Sequence, residues 1–270
     1  MPANRSNLSL LEIRFQGAEL RNRGVPIYEL SVSLIALQRM VHKAHMLETQ
    51  QEASRPFLSY EQRSNLALQL GYRHRGSDEY GLIPLLANPT VAQILGVYVG
   101  WIMIALTKYV KKAVTRQARG EDDRQHVFNV FIFNQLSELA GRIHNIGGVE
   151  SMQISGGPAH ARETVTLDVD FKNYVRTLKD DVAHGAVREL TGRVVDLLPG
   201  EDAIKITRDP EGTVKIYLKP ADFESIRYSK VKNPLVSIVG EPLYRLGIET
   251  YHFEAFDGHS IAIINEDLSE

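Results

Sequence analysis

The sequence contains no cysteine among its 270 residues. This absence excludes disulfides, thiolate metal sites and cysteine nucleophiles, and it is compatible with a reducing compartment. The N-terminus, MPANRSNLSL, has no long apolar segment of the kind found in signal peptides. Internal repeats and low-complexity tracts are also missing. We therefore expect a cytoplasmic protein that does not belong to the repeat or disulfide-rich classes.

Charge of either sign is also not in excess. The chain has 31 Lys and Arg residues against 33 Asp and Glu residues, a formal net charge of −2. This balance argues against a generally basic nucleic-acid-binding protein but allows a local basic surface. The hydrophobic content of 43% is ordinary for a globular protein. A chain of this length can bury a sizeable core in one large or two smaller domains.

The most conspicuous stretch is residues 81–107, GLIPLLANPTVAQILGVYVGWIMIALT, which has no charged side chain or histidine. Its second part contains Gly96, Gly100 and Trp101, the only tryptophan of the chain. A helix of this composition is buried at the centre of a domain, associates with a partner, or enters a membrane. Its 17 continuous apolar residues are at the lower edge of a membrane span, so we place membrane insertion last. Gly96, Gly100 and Trp101 are the candidate helix-packing or interface residues.

Hydrophobic periodicity predicts the elements of the N-terminal half. Alternation predicts a strand over 8–15, while three- and four-residue spacings predict a helix over about 26–50. Two further strands are predicted around 66–72 and 80–85, which completes a β-α-β-β unit. The apolar stretch is then predicted to form a helix from Thr90 to about Ala118. A second apolar helix over about 125–145 would pack on it as an antiparallel hairpin.

The C-terminal half is predicted to be rich in strands. We expect a flexible loop over 154–161, a strand over 164–171, a helix over 172–189 and five short β segments. Those segments cover 190–198, 203–208, 213–219, 234–240 and 249–256, a spacing typical of a small β-barrel. The predicted fold class is therefore α+β, an N-terminal β-α-β-β unit with an apolar helical hairpin followed by the barrel. The predicted domains are 1–155, a connecting strand and helix over 156–189, and the barrel over 190–270.

Two stretches resemble known proteins. The signals LTGRVVDL, VSIVGEP and YHFEAFDG, in that order, resemble small barrels of the OB or SH3-like kind. Residues 11–41, LEIRFQGAELRNRGVPIYELSVSLIALQRMV, are similar to the opening of uncharacterised bacterial proteins found beside phage-defence genes. The second resemblance implies a bacterial setting and a sensing or accessory role, and it supplies no catalytic signature.

Asp168, Asp170 and Lys172 are the candidate catalytic residues. Magnesium-dependent nucleases present an acid-x-Lys triplet from a strand, since carboxylates hold the metal and the lysine steadies the reacting group. The competing interpretation is an amphipathic strand with its polar side in water, which we favour. His42 and His45, one helical turn apart, could likewise share a metal, although boundary positions of a helix explain them better. We therefore expect no metal and no cofactor.

A basic stripe is the candidate nucleic-acid-binding site. On a helix that continues to Ala118, one face would carry five cations, Lys108, Lys111, Lys112, Arg116 and Arg119. The alternative is a solvated helix end, with cations beside the negative end of the helix dipole. Interleaved aromatic and basic residues in the barrel, such as Tyr217 and Lys215, add a second indication, although such aromatics are more often core.

These observations favour a non-enzymatic binding, sensor or assembly subunit. Two consecutive apolar helices require a large core or a partner, so we expect a homo-oligomer or another protein subunit as partner. Anti-phage defence is a candidate setting. The alternatives are a nucleic-acid-binding protein that uses the basic stripe and the barrel, a metal-dependent nuclease, and a membrane-active effector.

Overall fold

The computed structural model describes residues 10–49, 58–73, 78–86, 88–144, 148–157, 162–208, 212–248, 253 and 255–264. The fold is α+β, as predicted, with a closed five-stranded β-barrel in its C-terminal part. The chain divides into two compact units. The first takes its residues from Met1–Val114, Arg124–Asp181 and Leu246–Tyr251; the second takes them from Thr115–Asp123, Val182–Arg245 and His252–Glu270.

The first unit combines an antiparallel sheet with helices. Its described strands are β1 (Leu11–Gln16), β2 (Leu68–Arg73), β3 (Glu79–Pro84), β4 (Ser151–Gly156) and β5 (Glu163–Leu167). Its described helices are α1 (Leu20–Arg23), α2 (Ile27–Glu48), α3 (Tyr60–Asn65), α4 (Pro89–Val110), α5 (Asp123–Phe131), α6 (Phe133–Gly141) and α7 (Val169–Thr177). The sheet order is β2-β3-β1-β4-β5, and every neighbouring pair is antiparallel. The β-α-β-β unit is thus formed by β1, α2, β2 and β3.

One face of this sheet packs against helices. In β1 the side chains of Leu11, Ile13 and Phe15 are buried and alternate with more accessible polar ones, as expected for an antiparallel sheet with one covered face. Helix α4 approaches so closely that a Cβ added to Gly156 would lie 2.7 Å from Val99 Cγ1. A glycine at this position of β4 is therefore what lets α4 rest on the sheet.

Polar contacts fix the helices to one another. The Tyr98 hydroxyl of α4 lies 2.9 Å from His45 Nδ1 of α2, and burial raises the pKa of Tyr98 to about 12. The buried Tyr109 hydroxyl of α4 donates to the Asn129 carbonyl of α5 at 2.9 Å. Because each of these polar groups is paired inside the unit, α2, α4 and α5 are held in one arrangement.

The apolar helices are shorter than predicted. The prediction of a continuous helix over 125–145 was wrong, because the helix is interrupted at Ile132, between α5 and α6. The Phe131 carbonyl accepts a hydrogen bond from buried Lys43 Nζ at 2.7 Å, and that ammonium also lies 4.2 Å from the Phe131 ring centroid. The Lys43 side chain of α2 thus provides a hydrogen-bond donor to the Phe131 carbonyl at the point where the helix is interrupted.

Helix α4 also ends well before Ala118, the predicted terminus. Lys112 has a left-handed backbone with φ of 56°. Its N–H donates to the Tyr109 carbonyl at 3.1 Å, and the Ala113 N–H donates to the Lys108 carbonyl at 2.9 Å. These two bonds form a Schellman motif, which satisfies the last carbonyls and turns the chain away from the helix axis.

The region from 150 to 190 differs most from expectation. Most of the predicted loop at 154–161 lies either in β4, which continues to Gly156, or outside the described residues. The predicted strand over 164–171 stops at Leu167. The predicted helix over 172–189 is wrong beyond Thr177, where α7 ends, because the chain continues into two strands, Val182–His184 and Arg188–Leu198. Asp168 explains the change, because its carboxylate accepts from the N–H groups of Asp170 and Phe171 and starts a helix.

The second unit is the barrel with one added strand. Its described elements are β6 (Val182–His184), β7 (Arg188–Leu198), β8 (Ala203–Arg208), β9 (Gly212–Tyr217), α8 (Pro220–Arg227), β10 (Leu235–Arg245) and β11 (Ala255–Ile263). The barrel closes in the order β7-β8-β9-β11-β10 and back to β7, with only the β9–β11 pair parallel. Residues of alternating positions fill its interior, among them Val194, Ile204, Ile206, Val214, Ile216, Val236, Ile238 and Phe256.

The packing of α4 on β4 gives a stability prediction. We expect Gly156→Val to lower the free energy of unfolding by about 2–3 kcal/mol, because the added side chain must displace Val99 and Met103 from a filled core. Gly141→Ala, in α6 with nothing within 4 Å of the added Cβ, is the matched control and should be neutral or stabilising. Denaturant unfolding measures both, and equal stabilities of the two variants would contradict the packing argument.

Candidate interaction surface

Helix α4 presents an apolar face that the rest of the chain leaves open. Ile94, Val97 and Ile104 are 37%, 54% and 45% exposed. Val97 and Ile104 are seven residues apart and so lie on the same side of the helix. The opposite side is buried through Leu95, Tyr98, Val99, Ile102, Met103, Ala105, Leu106 and Tyr109. Of the alternatives for this helix, burial at the centre of a domain therefore holds for one face of α4 only.

Gly96 and Gly100 lie beside this exposed face. A Cβ added at either position would meet no atom of the described residues within 4 Å, apart from the backbone of α4 itself. The internal packing of the chain therefore does not require glycine there, although each glycine costs a helix about 1 kcal/mol relative to alanine. Small residues at such positions let a second helix approach the backbone closely.

Trp101 lies at the border between the two faces of α4. Its ring is partly buried and contacts Tyr98 and Phe128, with ring centroids 6.5 and 5.6 Å apart. Its carbonyl accepts from Gln125 Nε2 at 3.2 Å. Trp101 thus holds α4 against α5 and limits the open face on one side.

Among the described residues, α4 is the helix that has the length and apolar composition to cross a membrane, with a mean hydropathy of 1.7 over its best 18 residues. A core helix of a soluble protein satisfies the same criterion. The Tyr98, Tyr109 and Gly156 contacts already bind one side of α4 to the first unit. The exposed apolar side of α4 is therefore the part whose role these contacts do not account for.

The candidate catalytic residues have structural partners. Asp168 is the N-cap of α7, and Asp170 lies in its first turn. Lys172 Nζ donates to the Ile143 carbonyl just beyond α6, and burial together with Arg176 and Arg142 lowers its pKa. In the part of the chain that the structure describes, no group of three or more acidic or histidine side chains could hold a metal ion.

The two histidines of α2 point to separate partners. His42 Nε2 lies 2.9 Å from Gln38 Nε2, and Gln38 also donates to the Leu66 carbonyl at 3.0 Å. His45 is paired with Tyr98 instead. Burial, with smaller contributions from Arg63 and His45, lowers the pKa of His42 to about 4. His42 is therefore neutral at pH 7 and accepts from an amide group.

The five basic residues are exposed or half-buried but do not share a helix. Lys108 is in the last turn of α4, Lys111 is its C-cap and Lys112 occupies the left-handed turn. Arg116 lies in a backbone bridge beside β6, and Arg119 is in an exposed turn. The first three belong to the first unit and the last two to the second. The single helical stripe of the sequence interpretation therefore does not form.

Barrel aromatics are divided between the interior and the surface. Phe223 and Tyr244 are buried, whereas Tyr228 is 74% exposed and carries the Arg227 guanidinium 5.5 Å from its ring centroid. On the outer face of β9, Lys215 Nζ lies 4.7 Å from the Tyr217 ring centroid. Tyr251 lies outside the described residues.

No protein-family model, curated protein or solved structure matches this chain. Sequence reasoning identified Gly96 and Gly100 but missed Val97 and Ile104, because apolar residues fill both faces of α4 and only the tertiary contacts distinguish them. The seven-residue spacing of Val97 and Ile104 around Gly100 was the available signal.

The lowered pKa of His42 gives a pH prediction. Folded His42 titrates at about 4 and the unfolded residue at about 6.5, so the unfolded state binds more protons between these values. The free energy of unfolding should therefore fall as pH decreases from about 6.5 to about 4. His42→Gln removes this titration and should make the dependence shallower in that window. Chemical denaturation at several pH values measures it, and parallel curves for both proteins would contradict a buried neutral His42.

Proposed function

We propose that this chain is a non-enzymatic binding or assembly subunit that associates with a second copy of itself through the open face of α4. The observation that carries the proposal is the exposed pair Val97 and Ile104, with half-buried Gly100 between them, on a helix whose other face is already buried. Covering exposed apolar side chains releases about 25 cal/mol for each Å² removed from water, which favours a protein partner.

The same face is complementary to itself. Val97 and Ile104 project on either side of the open space at Gly100. A two-fold axis passing near Gly100 would place the two glycines opposite each other and Val97 of one copy beside Ile104 of the other. Such an isologous contact uses one patch twice and closes after two copies, which suits a dimer.

The charges of α4 favour an antiparallel pair. Lys108 and Lys111 lie at the C-terminal end of the helix, whereas the described N-terminal turn carries no charged side chain. Parallel helices would bring the lysines of both copies together, and like charges repel. Antiparallel helices separate them and align the helix dipoles favourably.

A 22-residue helix is about 33 Å long, and stable interfaces bury about 1,600 Å² in total, so neighbouring residues should contribute. Leu85 and Leu86, just before α4, are 46% and 40% exposed and supply further apolar surface. The N-terminal resemblance to proteins beside phage-defence genes supports a bacterial defence setting for this assembly.

Interface variants test the proposal. Val97→Lys places a charge in the centre of the contact and should shift the protein to monomer at concentrations where the unmodified chain is a dimer, without loss of folding. Val231→Lys is the matched control, because Val231 is 53% exposed in the second unit. Light scattering after size exclusion measures the mass. An unmodified chain that stays monomeric at high concentration, or a Val97→Lys variant that stays dimeric, would reject this interface.

A second candidate function rests on the outer face of the barrel. The closed order β7-β8-β9-β11-β10, with α8 between the third and fourth barrel strands, is the arrangement we would expect of an OB-type barrel. OB-type barrels bind oligonucleotides across their second and third strands. Here these are β8 and β9, where Lys205 and Lys215 are cross-strand partners. Tyr217 follows on the same face as a stacking surface.

This candidate predicts salt-sensitive binding of a single-stranded oligonucleotide. Asp196 and Glu201 pair with the two lysines, so a strand must displace these carboxylates. Lys205→Ala with Lys215→Ala should reduce the slope of log affinity against log salt by about 0.7 for each lost contact, while Lys230→Ala should not. Fluorescence anisotropy measures it, and salt-independent or absent binding would exclude this function.

A further inference from the structure

A cleft of about 1180 Å³ opens at one end of the five-stranded sheet. It lies where β1 and β2 end and where β3 and β4 begin, and residues between Gly17 and Val25 also line it. The volume is slightly above the range of about 300–1,000 Å³ common for small-molecule sites, and every described lining residue belongs to the first unit. The described lining includes no residue of the open face of α4 or of the barrel.

Five of the described lining residues are charged. Three are arginines, Arg14, Arg23 and Arg73, and two are acids, Asp78 and Glu150. Arg23 pairs with Glu19 at 4.0 Å, and both side chains are largely exposed, so this pair holds the guanidinium weakly. Glu150 is engaged with the chain itself, since its Oε1 accepts from the Ala18 N–H at 3.1 Å. Both lining acids thus have partners within the chain, and three guanidinium groups line the cleft.

Two contacts fix the position of the Arg73 side chain. Its guanidinium pairs with Asp78 Oδ1 at 3.1 Å and lies 5.6 Å from the Tyr80 ring centroid. Asp78 is largely buried, whereas Arg73 remains more than half exposed. A planar guanidinium fixed on one side can still donate from its free N–H groups, and this geometry matches the oxygens of phosphate.

The chain above the cleft is anchored by a close backbone approach. A Cβ at Gly17 would lie 2.0 Å from the Gly148 carbonyl oxygen, and the Glu150 N–H donates to the Gln16 carbonyl at 2.7 Å. Together with the Ala18 contact to Glu150, these interactions fix the turn after β1. The cleft is thus built between ordered backbone segments of the sheet end.

We propose that this cleft binds a small soluble ligand that carries more than one phosphate group, of about nucleotide size. Three arginines spread around a volume of this size suit several anionic groups rather than one. The ligand would give a self-associating subunit something to sense, but the site is independent of the α4 interface, so either can fail without the other.

Calorimetric titration of the full chain with pyrophosphate, ATP and uncharged adenosine tests the site. We expect binding of ATP or of both phosphate compounds, weakened by salt, and no binding of adenosine. Arg14→Gln and Arg23→Gln should each weaken binding about tenfold, since a charge-assisted hydrogen bond is lost in each. Arg39→Gln is the control, because Arg39 pairs with Glu138 outside the cleft and is similarly exposed.

Two results would overturn the proposal. One is no heat and no thermal shift with pyrophosphate or ATP at millimolar concentration and low salt. The other is binding that is as strong in Arg14→Gln and Arg23→Gln as in Arg39→Gln, or as strong for adenosine as for ATP. Both arginines are exposed, so the variants should fold, and circular dichroism verifies that they do.

Discussion

The first unit depends on the contact between α4 and strand β4 at Gly156. The helix rests directly on the sheet there, because an added Cβ would overlap Val99 and crowd Met103. This contact decides which side of an almost wholly apolar helix is turned inward. Tyr98 and Tyr109 then secure the same orientation through hydrogen bonds to α2 and α5. Because Val99 and Met103 pack on Gly156, Val97 and Ile104 are turned toward the outside.

The exposed side of α4 carries the proposed function. A helix that needed only to cover the sheet would carry polar residues outside, yet α4 has Ile94, Val97 and Ile104 there. The two glycines beside them are not required by any contact within the described chain. The proposed contact with a second helix would account for both the exposed apolar side chains and the open glycines on one face. The phosphate site proposed at the sheet end would add a ligand to this proposed assembly without sharing residues with its interface.

Much of the fold could be predicted from local patterns. Alternation predicted β1 and four of the five barrel strands, and helical spacing predicted α2, because each reflects one buried face. The fifth predicted segment, 249–256, overlaps β11 (Ala255–Ile263) only at Ala255 and Phe256. The remainder depended on contacts that are distant in sequence. Lys43 donates a hydrogen bond to the Phe131 carbonyl at the interruption between α5 and α6, and the sequence around residue 131 does not indicate that partner. Lys112 ends α4 in a left-handed conformation, and the sequence did not predict this end because the residue at such a position is usually glycine.

The candidate sites were limited by the same restriction. An Asp-x-Asp-x-Lys series is compatible with a strand end or a helix start, and Asp168 decides it by capping α7. A glycine pair at 156–157 suggests a loop, whereas Gly156 is in a strand because α4 lies on it. The cleft arginines come from three separate segments and gave no motif. Gly96 and Gly100 could be identified as unusual, but only the structure distinguishes the open face from the buried one.

The most direct test of the central claim uses the absence of native cysteine. Gly100→Cys introduces one thiol into open space on the proposed two-fold axis, and a disulfide forms only where two Cα atoms come within about 7 Å. The account predicts a disulfide-linked dimer on mild oxidation in dilute solution, and no such dimer from Val231→Cys. Equal cross-linking of the two variants, or none at position 100, would contradict self-association through α4.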